Sequence, residues 1–311
     1  MRIRFWGVRG SLPAPLLPSQ AREKLSAILM QAVPEDFASS ESKERFIAGL
    51  PPWLFDTVGG NTSCVSLDLD GFDEQLVFDC GSGISQLGRS QGGSCMSKYH
   101  VFLSHFHWDH LQGLPFFAPA YNPSVDINFY SPKPGFKDDL CGLLRRPYSP
   151  VRIEDMAAEK NFHLMTAPTA IGPATVFFRE MNHPGGSFAY KVCHGGKRFI
   201  YATDSELEAG DFVRNDENTA FFGGADMIVI DSQYTLVEAL EKFQWGHSPY
   251  SMAVEFAVTW EIKHLVLFHH DPGSDDRRLH EMLRSARQYL QLIFGEGIEI
   301  SLASEGMEIV L

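Results

Sequence analysis

Five short apolar runs in this chain stop at residues able to bind a metal or move a proton, and this restricts the fold more than any other feature. "HVFLSHFHWDH" runs into His105, His107, Asp109 and His110. "ATVFFREMNH" stops at His183, "KRFIYATD" at Asp204, "DMIVID" at Asp231, and "KHLVLFHH" at His269 and His270. Runs of this length and composition are strand-like. In layered α/β proteins, sites collect where strands end and loops converge. A single histidine at a strand end is ordinarily hydrogen-bonded structure. Five such ends together point to one shared site.

The rest of the chain agrees with a layered α/β fold. "RIRFWGV", "SCVSLDLDG" and "EQLVFDCGSG" are strands joined by glycine-rich turns. Between the first two lies residues 12–57, where Leu25, Ile28, Leu29 and Val33 recur at helical spacing. This predicts a helical insertion, either a packed decoration or a lid or subunit contact with Trp53 and Phe55 as stacking groups. "LHEMLRSARQYLQLIF" predicts a helix, and "IEISLASEGMEIVL" a closing strand pair. No repeat or linker interrupts the pattern, so residues 1–311 are expected to form a single α/β domain carrying that one insertion.

Charge narrows the function. A formal net charge of −13 and a pI near 5.3 argue against a protein that coats nucleic acid by neutralising phosphates. They favour a small substrate whose negative charge meets a metal. The five cysteines are scattered, with no C-x-x-C pair, which fits reduced thiols in a cytoplasmic protein. The N-terminal "MRIRFWGVRGSLPAP" has the character of a strand and not of a signal peptide. No run of eighteen or more apolar residues predicts a membrane span.

The ligand arithmetic suggests two metals. His105 and His107, two apart, reach the same side of an extended segment, and His183 adds a third imidazole. Asp109 and His110 on the following turn point to a second metal, completed by His269, and Asp204 bridges the two. Two metals about 3.5–4 Å apart activate water and clamp both attacking and leaving oxygens. Nitrogen and oxygen ligands accept zinc, manganese or iron, with zinc the first choice.

"HFHWDH" resembles the H-x-H-x-D-H signature of the metallo-β-lactamase superfamily, and His183, Asp204 and His269 fit its remaining ligand positions in order. "VFDCGSG" is similar to the strand and turn preceding that signature, with Asp79 as the matching acid. The resemblance implies an αβ/βα four-layer sandwich with metals at one edge between two sheets. It also implies that Asp79 orients a ligand and is not one itself, and that His269, not His270, is the last ligand. "DMIVIDSQYT", "WGHSPYSMA" and "LVLFHHDP" resemble the phosphodiesterase branch, which includes ribonuclease Z-like enzymes and cyclic-nucleotide phosphodiesterases. There a Gly-His-Ser histidine pairs with an acid, here His247 with Asp231.

The pair has a chemical reason. Phosphodiester cleavage expels a poor alkoxide leaving group, and a positioned acid contributes about 10²–10⁴-fold. The expected mechanism uses a metal-bridging hydroxide, with His247, Asp231 and Asp109 as catalytic residues. His247 also precedes a helix start, where Ser248 is expected to cap a helix that Pro249 opens. "VRGS" and "GGNTS" resemble turns that line this family's phosphate-facing edge, where Arg9, Asn61, Thr62 and Ser63 either offer donors to phosphate oxygens or are purely structural. The family's tRNA-processing members carry a protruding basic arm, and 136–160 holds only the modest "RRPYSPVR". A small phosphodiester, such as a 3′,5′-cyclic nucleotide, is therefore the expected substrate, and long RNA is disfavoured. The alternatives are a hydrolase of lactones, thioesters or β-lactams, an RNA-processing endonuclease, and a non-catalytic binding protein. The resemblance also raises a homodimer.

Overall fold

The structure, a computed structural model, describes residues 1–90, 96–295 and 297–311; Cys95 therefore lies outside the described residues. The first half of the chain supplies β1 (Arg2–Gly7), β2 (Cys64–Asp68), β3 (Gln75–Phe78), β4 (Lys98–Phe102), β5 (Asp126–Ser131) and β6 (Glu159–Leu164). The second supplies β7 (Thr169–Ile171), β8 (Ala174–Met181), β9 (Ser187–His194), β10 (Lys197–Ala202), β11 (Met227–Asp231), β12 (His264–Phe268), β13 (Glu299–Leu302) and β14 (Glu308–Val310). They form two seven-stranded sheets, ordered β14-β1-β2-β3-β4-β5-β6 and β13-β12-β11-β10-β9-β8-β7.

Both faces of each sheet are buried, and the side-chain period of two sorts residues between layers. In β10, Phe199 and Tyr201 enter the core between the sheets, while Ile200 and Ala202 enter an outer core. In β3, Leu76 and Phe78 point inward and Val77 outward. The outer face of the first sheet is covered by α4 (Ile84–Ser90) and α5 (Phe136–Leu143), whose Ile84, Leu87, Phe136 and Leu140 are buried there. The outer face of the second is covered by α6 (Asp216–Phe222), α8 (Tyr250–Thr259) and α9 (Asp276–Ile293), through Phe222, Val254, Phe256 and Ala286. This is the expected αβ/βα sandwich. The short α7 (Leu236–Glu241) lies between β11 and α8.

Two expectations about local structure change. The C-terminal strands do not pair with each other: β13 joins β12 in the second sheet, and β14 joins β1 in the first. The turn between them crosses the sandwich, with Ala303 in the inner core and Gly306, at φ 81°, donating its N–H to Phe5 O at 2.8 Å. The second change concerns residues 12–57, which fold into α1 (Pro18–Gln31), α2 (Ser40–Gly49) and α3 (Pro52–Phe55). The apolar stripe on α1 is not a packed face. Leu25 and Leu29 are 57% and 60% exposed, and α1 and α2 have no buried residue. Leu50 and Leu54 anchor the insertion instead.

Candidate metal centre

The topology brings the chemistry-bearing strand ends to one edge. β3 and β4 run parallel in the first sheet, as do β10, β11 and β12 in the second, so their C-terminal ends share an edge. Beyond β1, the Arg9 backbone bridges Thr62 on one side and His270 on the other, closing the edge between the sheets. Three acid or imidazole residues just past these ends adopt left-handed backbone: Asp79 at φ 61°, Asp204 at 48° and His269 at 61°. Such conformations cost on the order of 1–3 kcal/mol each and persist where the surroundings over-determine them.

Asp204 sits at the centre. Its Oδ1 lies 3.7 Å from both His105 Nε2 and His183 Nε2. Its Oδ2 lies 3.1 Å from both His110 Nε2 and His269 Nε2. On the first side, His107 Nδ1 is 3.0 Å from His183 Nε2, and ligand atoms of His105, His107, His183 and Asp204 all lie within 4.8 Å of one another. On the second, Asp109 Oδ2 is 3.1 Å from His110 Nε2 and 3.5 Å from His269 Nε2. All seven predicted ligands converge, three on each side of one carboxylate.

The hydrogen bonds behind the rings fix which nitrogen faces inward. His183 Nδ1 donates to Gly246 O at 2.9 Å, so its Nε2 presents a lone pair. A Cβ on Gly246, which sits at φ 87°, would come within 2.2 Å of that Nδ1. Glycine is required there for both conformation and approach. His110 Nδ1 donates to Asp79 Oδ2 at 2.8 Å. Ser104 Oγ and Tyr201 OH donate to the same oxygen, each at 2.8 Å, and Ser104 N–H to Oδ1. Asp79 thus holds one candidate ligand, His110, from behind. Ser11 N–H donates to Asp109 Oδ2 at 2.8 Å, and Thr203 Oγ1 to Asp204 Oδ2 at 2.6 Å. Ser11, Ser104, Thr203 and Tyr201 escaped the sequence reading; only the inward position of Tyr201 in β10 signalled it.

The electrostatics suit cations. Burial opposes the charge on Asp204, yet His110, His269 and His105 hold its carboxyl well below the usual range. Burial likewise opposes protonation of His110, but Asp204, Asp109 and Asp79 outweigh it and raise that ring well above its ordinary value. His269, pressed down by burial, is pushed up to about 10 by Asp204, Asp109 and Asp231. His105 is lowered, first by burial, and its Nε2 is enclosed with no hydrogen-bond partner. Crowded carboxylates that draw protons onto His110 and His269, with an orphaned imidazole nitrogen among them, form a site that favours positive charge and a donor set that fits divalent metals.

His247 stands beside this centre. Its Nδ1 lies 2.6 Å from Asp231 Oδ2, and its ring is 5.0 Å from that of His269 and 5.3 Å from that of His183. Ser248 does not cap α8: its Oγ donates to Ser205 O and accepts from Leu207 N, and Pro249 occupies the cap position. His270 turns away, donating Nε2–H to Ala303 O at 2.9 Å.

The "GGNTS" turn faces inward. Asn61 is held by Glu305 and Ser82, Thr62 Oγ1 donates to the Asp109 carbonyl at 2.6 Å, and Ser63 is buried. Their contacts brace the Asp109 loop. Arg9 is also enclosed, donating to carbonyls of Gly59, Asp271 and Ser274.

Comparison with known proteins agrees with this geometry. A family model described as "Beta-lactamase superfamily domain" matches residues 75–270. Ribonuclease Z of Picrophilus torridus is 24% identical over 253 aligned residues, covering 65% of this chain and 78% of the relative. The metallo-β-lactamase fold protein YhfI from Bacillus subtilis superposes with a TM-score of 0.64 at 17% identity, covering 99% of this chain and 98% of that one. A diphosphatase from the PhnP family superposes at 0.62 and 15% identity, covering 100% and 97%. The chain belongs to the metallo-β-lactamase superfamily of metal-dependent hydrolases, and its relatives lie on the phosphodiesterase branch.

Proposed function

We propose that the protein is a two-metal phosphodiester hydrolase acting on a small substrate, with 3′,5′-cyclic nucleotides the first class to test. The observation that carries this reading is the His247–Asp231 pair, joined at 2.6 Å beside the histidine cluster. His105, His107 and His183 would hold one metal, Asp109, His110 and His269 the other, with Asp204 shared. Zinc, manganese and iron all suit these ligands. Divalent metals supply positive charge for the phosphate oxygens and ease the deprotonation of water.

The chain's own residues do the rest. Asp231 accepts from His247 Nδ1 and so fixes the orientation of the ring, leaving Nε2 to deliver a proton to the departing oxygen. Asp79 fixes the tautomer and orientation of His110. The Ser11 amide and Thr203 hydroxyl hold the two carboxylates in place.

The small-substrate reading is supported by the net charge of −13 and by segment 136–160. That segment is anchored on the first sheet through Phe136, Leu140, Leu144, Ile153 and Met156, and its exposed basic stretch between these anchors is short, Arg145 and Arg146. A second reading, an RNA-processing endonuclease, is favoured by the relatives named ribonuclease Z. The deciding experiment adds zinc or manganese to chelated protein and offers a panel of cyclic nucleotides beside precursor tRNA. Metal-dependent release of mononucleotide is expected. Processing of precursor tRNA with no turnover of cyclic nucleotides would reject the small-substrate reading.

A further inference from the structure

A cavity of about 500 Å³ lies between the insertion and the start of α9, lined by Arg9, the 12–17 segment, one side of α1, Trp53 and residues 272–277. None of the seven clustered ligands lines it, nor do His247 and Asp231. The size is that of a small-molecule site. Its apolar wall is left in water: Leu12, Leu16 and Leu17 are 53%, 43% and 53% exposed, although they face a concave surface. Covering such side chains is favourable at about 25 cal/mol per Å².

Arg9 makes the cavity more than an apolar dent. Its side chain is only 4% exposed. Nε donates to Gly59 O at 2.8 Å, and Nη1 to Ser274 O at 2.7 Å and Asp271 O at 3.2 Å. All three acceptors are neutral carbonyls. Among the described residues Nη2 has no hydrogen-bond partner and no carboxylate lies within ion-pair distance of the guanidinium. Four acids act on Arg9 from a distance, and each is engaged elsewhere: Asp276 with Lys24, Thr57 and Val58 N–H, Glu305 with Asn61, Asp271 with Lys242 and Gly273 N–H, and Asp275 with Arg278 N–H at the start of α9. Arg9 is a buried cation whose charge is hydrogen-bonded but not directly paired, an arrangement an anion relieves. Charge balance limits that anion. Around the cavity Arg9, Lys24 and Arg277 are balanced by Glu23, Asp275 and Asp276, so the lining holds no surplus positive charge for a polyphosphate and only the group that meets Arg9 itself is anionic.

We propose that this cavity is a second ligand site, taking a small molecule with an aromatic body and one anionic group. The body lies against Trp53 and the 12–17 wall, and the anion meets Arg9. The helical insertion then has a function independent of the metal centre: it builds one side of a binding site.

The test uses the full-length protein with two dyes sharing one aromatic body, anilinonaphthalene sulfonate and the uncharged phenylnaphthylamine, followed by fluorescence titration. The sulfonate is expected to bind saturably at one equivalent, and about tenfold or more tighter than the neutral dye, as a charge-assisted contact implies. Ala27→Phe, from the half-buried position on α1 that lines the cavity, should abolish binding while leaving the circular dichroism melt unchanged. Arg9→Gln, if it folds, should bring the two dyes to equal affinity. Lack of saturable binding, binding that survives Ala27→Phe, or equal affinities for the two dyes in the parent protein would each overturn the proposal.

Discussion

Gly10→Ala isolates how tightly the second half of the cluster is packed. Gly10 does not occupy the left-handed region, so alanine is tolerated by its backbone and only space decides the outcome. A Cβ there would lie 2.5 Å from His269 Cε1, 2.6 Å from its Nδ1 and 2.7 Å from Gln233 Nε2. Ordinary carbon contacts are about 3.5–4.0 Å, so the imidazole must retreat by about 1 Å. His269 is 1% exposed, so its ring is enclosed by protein on all sides and cannot swing into solvent. Overpacking of this kind costs about 1–3 kcal/mol. The same displacement moves Nε2 from its place 3.1 Å from Asp204 Oδ2 and 3.3 Å from His110 Nε2. Zinc affinity, read by competition with a chromogenic chelator, should fall roughly 10–100-fold, the usual effect of disturbing a ligand's support. The control is Gly142→Ala in α5, where a Cβ meets nothing within 4 Å. It should leave zinc affinity unchanged and raise stability by about 0.5–1 kcal/mol. If Gly10→Ala binds zinc and melts like the parent protein, close packing against His269 is not what demands glycine at this position.

Three further perturbations separate the roles assigned above. His247→Ala should retain metal content while turnover falls about 10²–10⁴-fold, more steeply for alkyl than for aryl phosphodiesters; equal losses on the two leaving groups would rule out proton donation. Tyr201→Phe removes one of the three side-chain donors to Asp79 Oδ2 and should cost roughly 0.5–1.5 kcal/mol in denaturant unfolding with the fold intact. Leu25→Ser with Leu29→Ser should change monomer stability by less than about 0.5 kcal/mol per site, because both side chains are already exposed. A loss of several kcal/mol there would reveal a packed surface that the exposed positions do not show.

Much of the site was legible because its chemistry is local in sequence. "HFHWDH" places four candidate ligands on one strand-to-loop connection, and the apolar runs before His183, Asp204 and His269 announce strands whose ends can converge. Period-two alternation does the same for the layers, as Phe199 and Tyr201 against Ile200 and Ala202 illustrate. The strand segments therefore follow from residue order, and with them the α/β class and the expectation of a metal edge.

Other features depend on groups that meet only when the chain closes. The hydroxyls of Tyr201 and Ser104 reach Asp79 from different strands, so no spacing in sequence marks their role. His269 and His270 are equivalent neighbours until backbone geometry turns one ring to the cluster and the other to Ala303 O. The closing strands divide between two sheets because the free edges available are β1 and β12, a fact of topology and not of propensity. The α1 stripe has helical periodicity, but periodicity states only that a face is apolar and not that anything covers it. Sequence determined which residues are able to carry metal chemistry and which segments are strands, because those are properties of neighbours along the chain. Tertiary structure alone decided which ring nitrogen faces inward, which acid stands behind which histidine, and that Arg9 lies enclosed beside a second cavity, because each depends on contacts between residues far apart in the chain.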